Sequence, residues 1–288
     1  MVAVLGEDVA STVAALLHRA VGGGRLYWSQ GDSALVELPL SLQLRRHWGP
    51  TDAVIRPEWS HPAPGLALAE LRFHRPPHPR AVTLVIVDVD PAHWRFRVYG
   101  RPDWRRDSVA DLADEAKLSI AINASYFAED GPLGLVVSDG TVRNRQGTRR
   151  AAHFLVDRPL SPPRIENERS ADVAGVEQGF QGFPAIMSGG RTFAYMRTGG
   201  RGFSVREVDR RSAACTNSRG HVLFFATDTW TSGLSFNDLA TILGALGCVD
   251  AMAFDGGAST SMWIDVGDLR RNVDGLDGVP VILGASKR

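Results

Sequence analysis

The 288 residues are 44% hydrophobic and 22% charged, enough apolar material for a sizeable core and the balance of an ordinary globular protein. Lysine plus arginine and aspartate plus glutamate number 32 each, so no net charge draws the chain towards nucleic acid or an anionic membrane, and neither partner is expected. No run approaches the roughly 18 consecutive apolar residues of a transmembrane helix, and Met1 to Ala10 lacks the basic start and apolar core of a secretory signal. A cytoplasmic protein or a mature exported form is therefore expected.

Taken in chain order, Asp8 to Val21 has apolar residues at helical spacing (Val9, Val13, Leu16, Leu17, Ala20), and Gly22-Gly23-Gly24 ends it. Short strand-like pieces follow from Leu26 to Phe73. The proline segment His74 to Pro79 reads as a rigid linker. It suggests an N-terminal segment, 1–75, of unassigned role and packed on a main domain, 76–288. Ala81 to Val89 is a β-branched run that predicts a buried strand. Ser108 with Asp111 opens a short amphipathic helix to Lys117, and Ser119 to Ala124 forms the next buried strand. Leu133 to Val137 runs into an Asp139-Gly140 hairpin turn, and Val205 to Thr227 reads as two strands around 217–220. Ser235 with Asp238 opens a second helix, after which Val249 to Phe254 makes another buried strand. Strands and helices do not alternate one for one, which predicts an α+β fold with a mixed or largely antiparallel sheet core and flanking helices.

The sharpest local feature is Asp255-Gly256-Gly257-Ala258-Ser259-Thr260, an acid and two glycines where a buried strand ends, followed by hydroxyls. Glycines there allow close backbone approach, and exposed N–H groups with hydroxyls can cradle an anion; a plain Asp-Gly turn fits the same letters. Asp228 ends another strand and pairs with Asp255 as a candidate for the two carboxylates of glycoside hydrolysis, or simply caps a turn. Arg210 and Arg211 stand at a strand start, suited to bidentate phosphate binding or to plain solvation. Asn123, inside an apolar strand, needs partners for its amide, from a loop or from substrate. Gln181 opens a glycine-rich piece that lines a pocket or forms a loop. Cys215 and Cys248 are too few for a disulfide scaffold or a cysteine zinc site; two buried thiols are expected, with a single bridge the open alternative. The eight histidines are scattered without a metal-ligand pair, and no nucleophile elbow, phosphate-binding loop or dinucleotide fingerprint occurs. No metal and no cofactor are expected.

Seven pieces in order resemble the phosphodiester glycosidase family: Val82 to Asp88; Ala121-Ile122-Asn123-Ala124-Ser125-Tyr126-Phe127; Gly134 to Gly140; Gln181 to Gly189; Arg211-Ser212-Ala213; Asp228 with Gly233-Leu234-Ser235; and Asp255-Gly256-Gly257-Ala258-Ser259. The likeness spans roughly residues 80–284. Ser125 stands where the family usually has glycine, and Ala214-Cys215-Thr216 is less glycine-rich than its usual counterpart.

The resemblance implies a hydrolase that breaks the anomeric C–O bond of a sugar-1-phosphodiester, small or oligosaccharidic, through an oxocarbenium-like transition state. On that reading Asp255 and Asp228 do acid, base or nucleophilic work. Arg211 and the turn containing Gly256, Gly257, Ser259 and Thr260 take the phosphate, and Asn123 and Gln181 contact substrate. It also points to bacterial envelope or exopolysaccharide material as a setting. Two alternatives keep the fold: a non-catalytic carbohydrate-binding or envelope-assembly module, and an intracellular biosynthetic enzyme that unmasks a phosphorylated intermediate. Oligomeric state is left open.

Overall fold

The strand Ala81–Val89 shows why so many of this chain's strands are apolar on successive residues. Successive side chains of a strand face opposite sides of its sheet. Here Val85, Val87 and Val89 enter one hydrophobic core while Val82, Leu84 and Ile86 enter another. Val222–Thr227 does the same, with Val222, Phe224 and Ala226 on one side and Leu223 and Phe225 on the other. A sheet covered on both faces demands apolar residues at every position.

The computed structural model describes residues 24–28, 36–37, 53–74, 81–145, 147, 152–158, 161–167, 171–193, 195–198, 204–230 and 233–288. The helix expected over Asp8 to Val21 and most of the proline segment after His74 lie outside these residues. Among the described residues every strand pairing is antiparallel. An eight-stranded sheet runs, edge to edge, Arg191–Thr192, Ala185–Ser188, Cys248–Ala253, Ser212–Asn217, Val222–Thr227, Ala81–Val89, Leu66–His74 and Ser60–Ala63. A five-stranded sheet runs Leu269–Val273, Met262–Val266, Ile120–Asn123, Ile282–Lys287 and Trp94–Tyr99. A second five-stranded sheet is built on Val176–Gly182 between Val136–Ser138 and Ala152–Asp157. Side chains of all three meet in one core, where Phe96, Phe154, Phe180, Phe224 and Phe254 contact one another ring to ring.

Two helices longer than a turn are present among the described residues, and both start at the serines the sequence singles out. Ser108 caps Val109–Ala116 by accepting the Asp111 N–H. Ser235 and Asp238 form a full capping box for Phe236–Ala245, which covers the outer face of the eight-stranded sheet. The fold is therefore predominantly β: the largely antiparallel sheet core is as expected, and the expected α+β class with flanking helices is corrected. Strands that pair with partners far along the chain leave little local signal, so the sequence overweights its two well-capped helices. Neither helix is long and apolar enough to cross a membrane. The cysteines are a second correction: Cys215 and Cys248 are bonded as a disulfide between neighbouring strands of the large sheet.

Candidate active site

The turn at Asp255 is held from three sides. Phe254 packs edge-on against Phe180, with ring centroids 5.0 Å apart, and its N–H bonds Ser212 O at 2.9 Å. The Asp255 N–H bonds Ala124 O at 3.1 Å, and Asn123 Nδ2 donates back to Asp255 O at 2.7 Å. Beyond it the chain folds onto residues 209–211. A β-carbon at Gly256 would lie 2.8 Å from Arg210 O, and Gly257, at φ 61°, donates its N–H to that same oxygen at 2.9 Å. Only glycine fits both conditions, a close backbone approach followed by left-handed backbone. The Asp255 carboxylate accepts the Gly256 N–H at 3.0 Å and a hydrogen bond from Ser259. Burial raises its pKa above the ordinary aspartate range; these two bonds pull it back, and the charges of Asp277 and Asp209 push it up again.

Arg211 lies alongside. Its N–H bonds Thr227 Oγ1 at 2.7 Å, its Nε bonds Leu234 O at 3.0 Å and its Nη2 bonds Glu207 O at 2.7 Å. The guanidinium stacks 3.8 Å from the centre of the Phe236 ring. Nη1 faces the turn, 3.6 Å from where a β-carbon of Gly256 would stand. Burial lowers the Arg211 pKa, opposed by Tyr126, Asp209, Glu207 and Asp238. Tyr126 joins the same cluster: burial raises its pKa, the charges of Asp255 and Asp209 add to the rise, and Arg211 opposes it. Its phenol is thus a hydrogen-bond donor across the neutral pH range.

The remaining predicted residues are placed differently. Asp228 Oδ2 is bonded by Arg271 Nη2 at 2.5 Å, and Arg271 also holds Glu70, so this carboxylate closes an ion-pair network at the strand end. Arg210 points to that side, with Nη2 on Asp274 O at 2.7 Å and its guanidinium 4.2 Å from the ring centre of the half-exposed Trp230. Asn123 is fully buried; its Oδ1 accepts from Ser212 Oγ at 2.6 Å and Ser261 N at 3.1 Å, so its amide bolts three segments together beneath Asp255. The Gln181 amide is likewise taken up by the backbone of Leu135 and Gly147. In the turn, the N–H groups of Gly256, Gly257, Ser259 and Thr260 all bond within the protein, and Thr260 is buried. The N–H groups that the expected anion cradle would use are thus committed within the fold, while Arg211 Nη1 and the Asp255 carboxylate both lie at the turn. Among the described residues, no three His, Cys, Asp or Glu side chains gather as a metal site.

A family model for phosphodiester glycosidases matches residues 116–285, a span that includes Asn123, Arg211, Asp228 and Asp255. The chain belongs to the phosphodiester glycosidase family. No curated protein sequence matches it. Among solved structures, the chain is similar to the zebrafish N-acetylglucosamine-1-phosphodiester alpha-N-acetylglucosaminidase catalytic domain, auto-inhibited by its pro-peptide. Identity there is 18% over 78% of this chain and 85% of that one, with a TM-score of 0.62. It is also similar to a hypothetical protein from Synechocystis, at 14% identity over 82% of this chain and 66% of that one, with a TM-score of 0.57. These two likenesses are of fold.

Two residues of the cluster were not singled out as site residues in this family member's sequence. Tyr126 sits three positions after Asn123, in a piece that carries the family resemblance, so position along that piece was the available signal. Asp209 precedes the arginine pair and is drawn to the site by a bridge between its backbone and Leu234. No sequence motif marks that contact.

Proposed function

We propose that this protein hydrolyses the anomeric C–O bond of a sugar-1-phosphodiester, giving free sugar and a phosphate monoester. The observation that carries the reading is a half-buried carboxyl, biased by burial towards its acid form, on a turn against which Arg211 Nη1 also lies. The zebrafish neighbour is described as acting on an N-acetylglucosamine-1-phosphodiester, which is the substrate class proposed here. As the bond breaks, positive charge develops on the sugar ring and negative charge on the departing phosphate. Arg211 stabilises the phosphate, and Asp255 donates a proton to its bridging oxygen. A phosphate monoester loses its second proton at about pH 6, so this leaving group asks less of the acid than an alcohol would.

Hydrolysis in water enriched in heavy oxygen tests the reading. The label is expected in the free sugar, without dependence on a divalent ion. Label in the phosphate, with activity lost to a chelator and restored by a metal, would replace it with P–O cleavage.

Arg211→Lys is expected to lower kcat/KM on a phosphodiester roughly 10- to 100-fold more than on an uncharged aryl glycoside, the scale of one charge-assisted hydrogen bond. A lysine cannot hold the Leu234 and Glu207 carbonyls while presenting a third N–H to substrate. Equal losses on both substrates would make Arg211 purely structural.

A further inference from the structure

Glycoside hydrolysis with Asp255 as acid calls for a second carboxylate, and Asp228 is committed to Arg271. We propose that Asp209 is that second carboxylate and acts as general base on the attacking water, an assignment that rests on the hydrolase reading above. Four observations support it.

The Asp209 side chain reaches the Asp255 turn: a β-carbon at Gly257 would stand 3.1 Å from its Oδ2. Its Oδ1 is occupied by the Arg210 N–H at 2.8 Å, which leaves Oδ2 as the oxygen on the Gly257 side. The residue is solvent-exposed, so water can lie against it. Its backbone is fixed, since Asp209 and Leu234 exchange N–H to O bonds at 3.2 and 2.8 Å, and a β-carbon at Gly233 would strike the Asp209 carbonyl at 2.1 Å. A carboxylate on such a support meets the rigidity that catalytic groups need.

Its charge acts on every member of the cluster, Asp255, Tyr126 and Arg211, and on Arg210 beside it. That of Asp228 acts on Arg210 and Arg271. The pair Asp255 and Asp209 therefore has the division of labour an acid and a base require: one carboxyl is half-buried and pushed towards its protonated form, and the other is open to water.

In the step itself, water oxygen bonds to the anomeric carbon as the carbon to phosphate-oxygen bond breaks. Asp209 takes the proton that water loses, and Asp255 gives its own to the departing oxygen. Water supplies both the hydroxyl of the sugar and, through the two carboxyls, the proton of the phosphate monoester.

The test compares Asp209→Asn, Asp209→Glu, Asp228→Asn and Asp255→Asn in the sugar-1-phosphodiester assay, with thermal melts and binding of a phosphate monoester measured on each. An asparagine at 209 keeps the oxygen that accepts the Arg210 N–H, so Asp209→Asn is expected to fold, to bind the monoester as wild type does, and to lose about 100-fold in kcat. Asp209→Glu recovers part of that rate. Asp228→Asn is expected to act first on melting temperature, through Arg271, with a smaller kcat loss than Asp209→Asn. Near wild-type kcat in folded Asp209→Asn, or a larger kcat loss from Asp228→Asn at equal stability, overturns the assignment. If Asp255→Asn is inactive while Asp209→Asn is active, only the Asp209 inference fails; if both are active, the hydrolase reading fails with it.

Discussion

Asp255→Asn is expected to give a folded protein that hydrolyses a sugar-1-phosphodiester about a thousandfold more slowly than wild type, within the range for loss of a general acid. The same variant should melt at a higher temperature than wild type at neutral pH. Burial makes the ionised Asp255 costly, and its pKa in the folded protein lies above that of an ordinary aspartate. The folded state then holds this proton more tightly than the unfolded chain. As pH rises from the ordinary aspartate value, about 4, through the raised folded value, wild-type stability falls. Asparagine cannot ionise, and it retains an oxygen to accept the Gly256 N–H. Its stability advantage should open across that window and close below it. Thermal melts at acid and neutral pH, run with the kinetic assay, check both parts. A folded variant with near wild-type turnover would sink the catalytic assignment, and a melting difference that does not shrink in acid would remove burial as its cause.

The disulfide carries the other large effect. Cys215 and Cys248 are both buried and lie 33 residues apart in sequence. Cross-linking a loop of that length restricts the unfolded chain by about 4 kcal/mol on the chain-entropy model. The double variant Cys215→Ala with Cys248→Ala should lose stability on that scale in denaturant titration, and wild type should lose a similar amount under reductant. Intact-mass measurement on unreduced protein should show the two hydrogens absent. Equal midpoints for wild type and double variant, or a mass with both thiols present, would contradict the bond. Because the bridge ties Ser212–Asn217 to Cys248–Ala253, the strands that lead from Arg211 and into Asp255, its loss should also loosen the site.

Much of the local structure was written in short stretches of sequence. Ala81–Val89 and Cys248–Ala253 declare themselves by apolar runs too short for helices, because both faces of their sheet are covered. Ser108 and Ser235 mark their helix starts, since a hydroxyl that accepts an N–H two or three residues on is a local bond. Asp139-Gly140 marks its turn because both residues take positive φ, 49° and 71°.

The Asp255-Gly256-Gly257 turn and the order of the seven family-like pieces were equally legible, and they led to the family. What only the tertiary structure decided were pairings between distant residues. Asn123 meets Asp255 across 132 positions, Cys215 meets Cys248, Asp228 meets Arg271 across 43, and Asp209 reaches the turn at Gly257. Periodicity and caps record which way a side chain faces and where an element starts. Which strands become neighbours is set by the packing of three sheets around one core, and that packing brings residues 209–211 against Gly256 and Gly257.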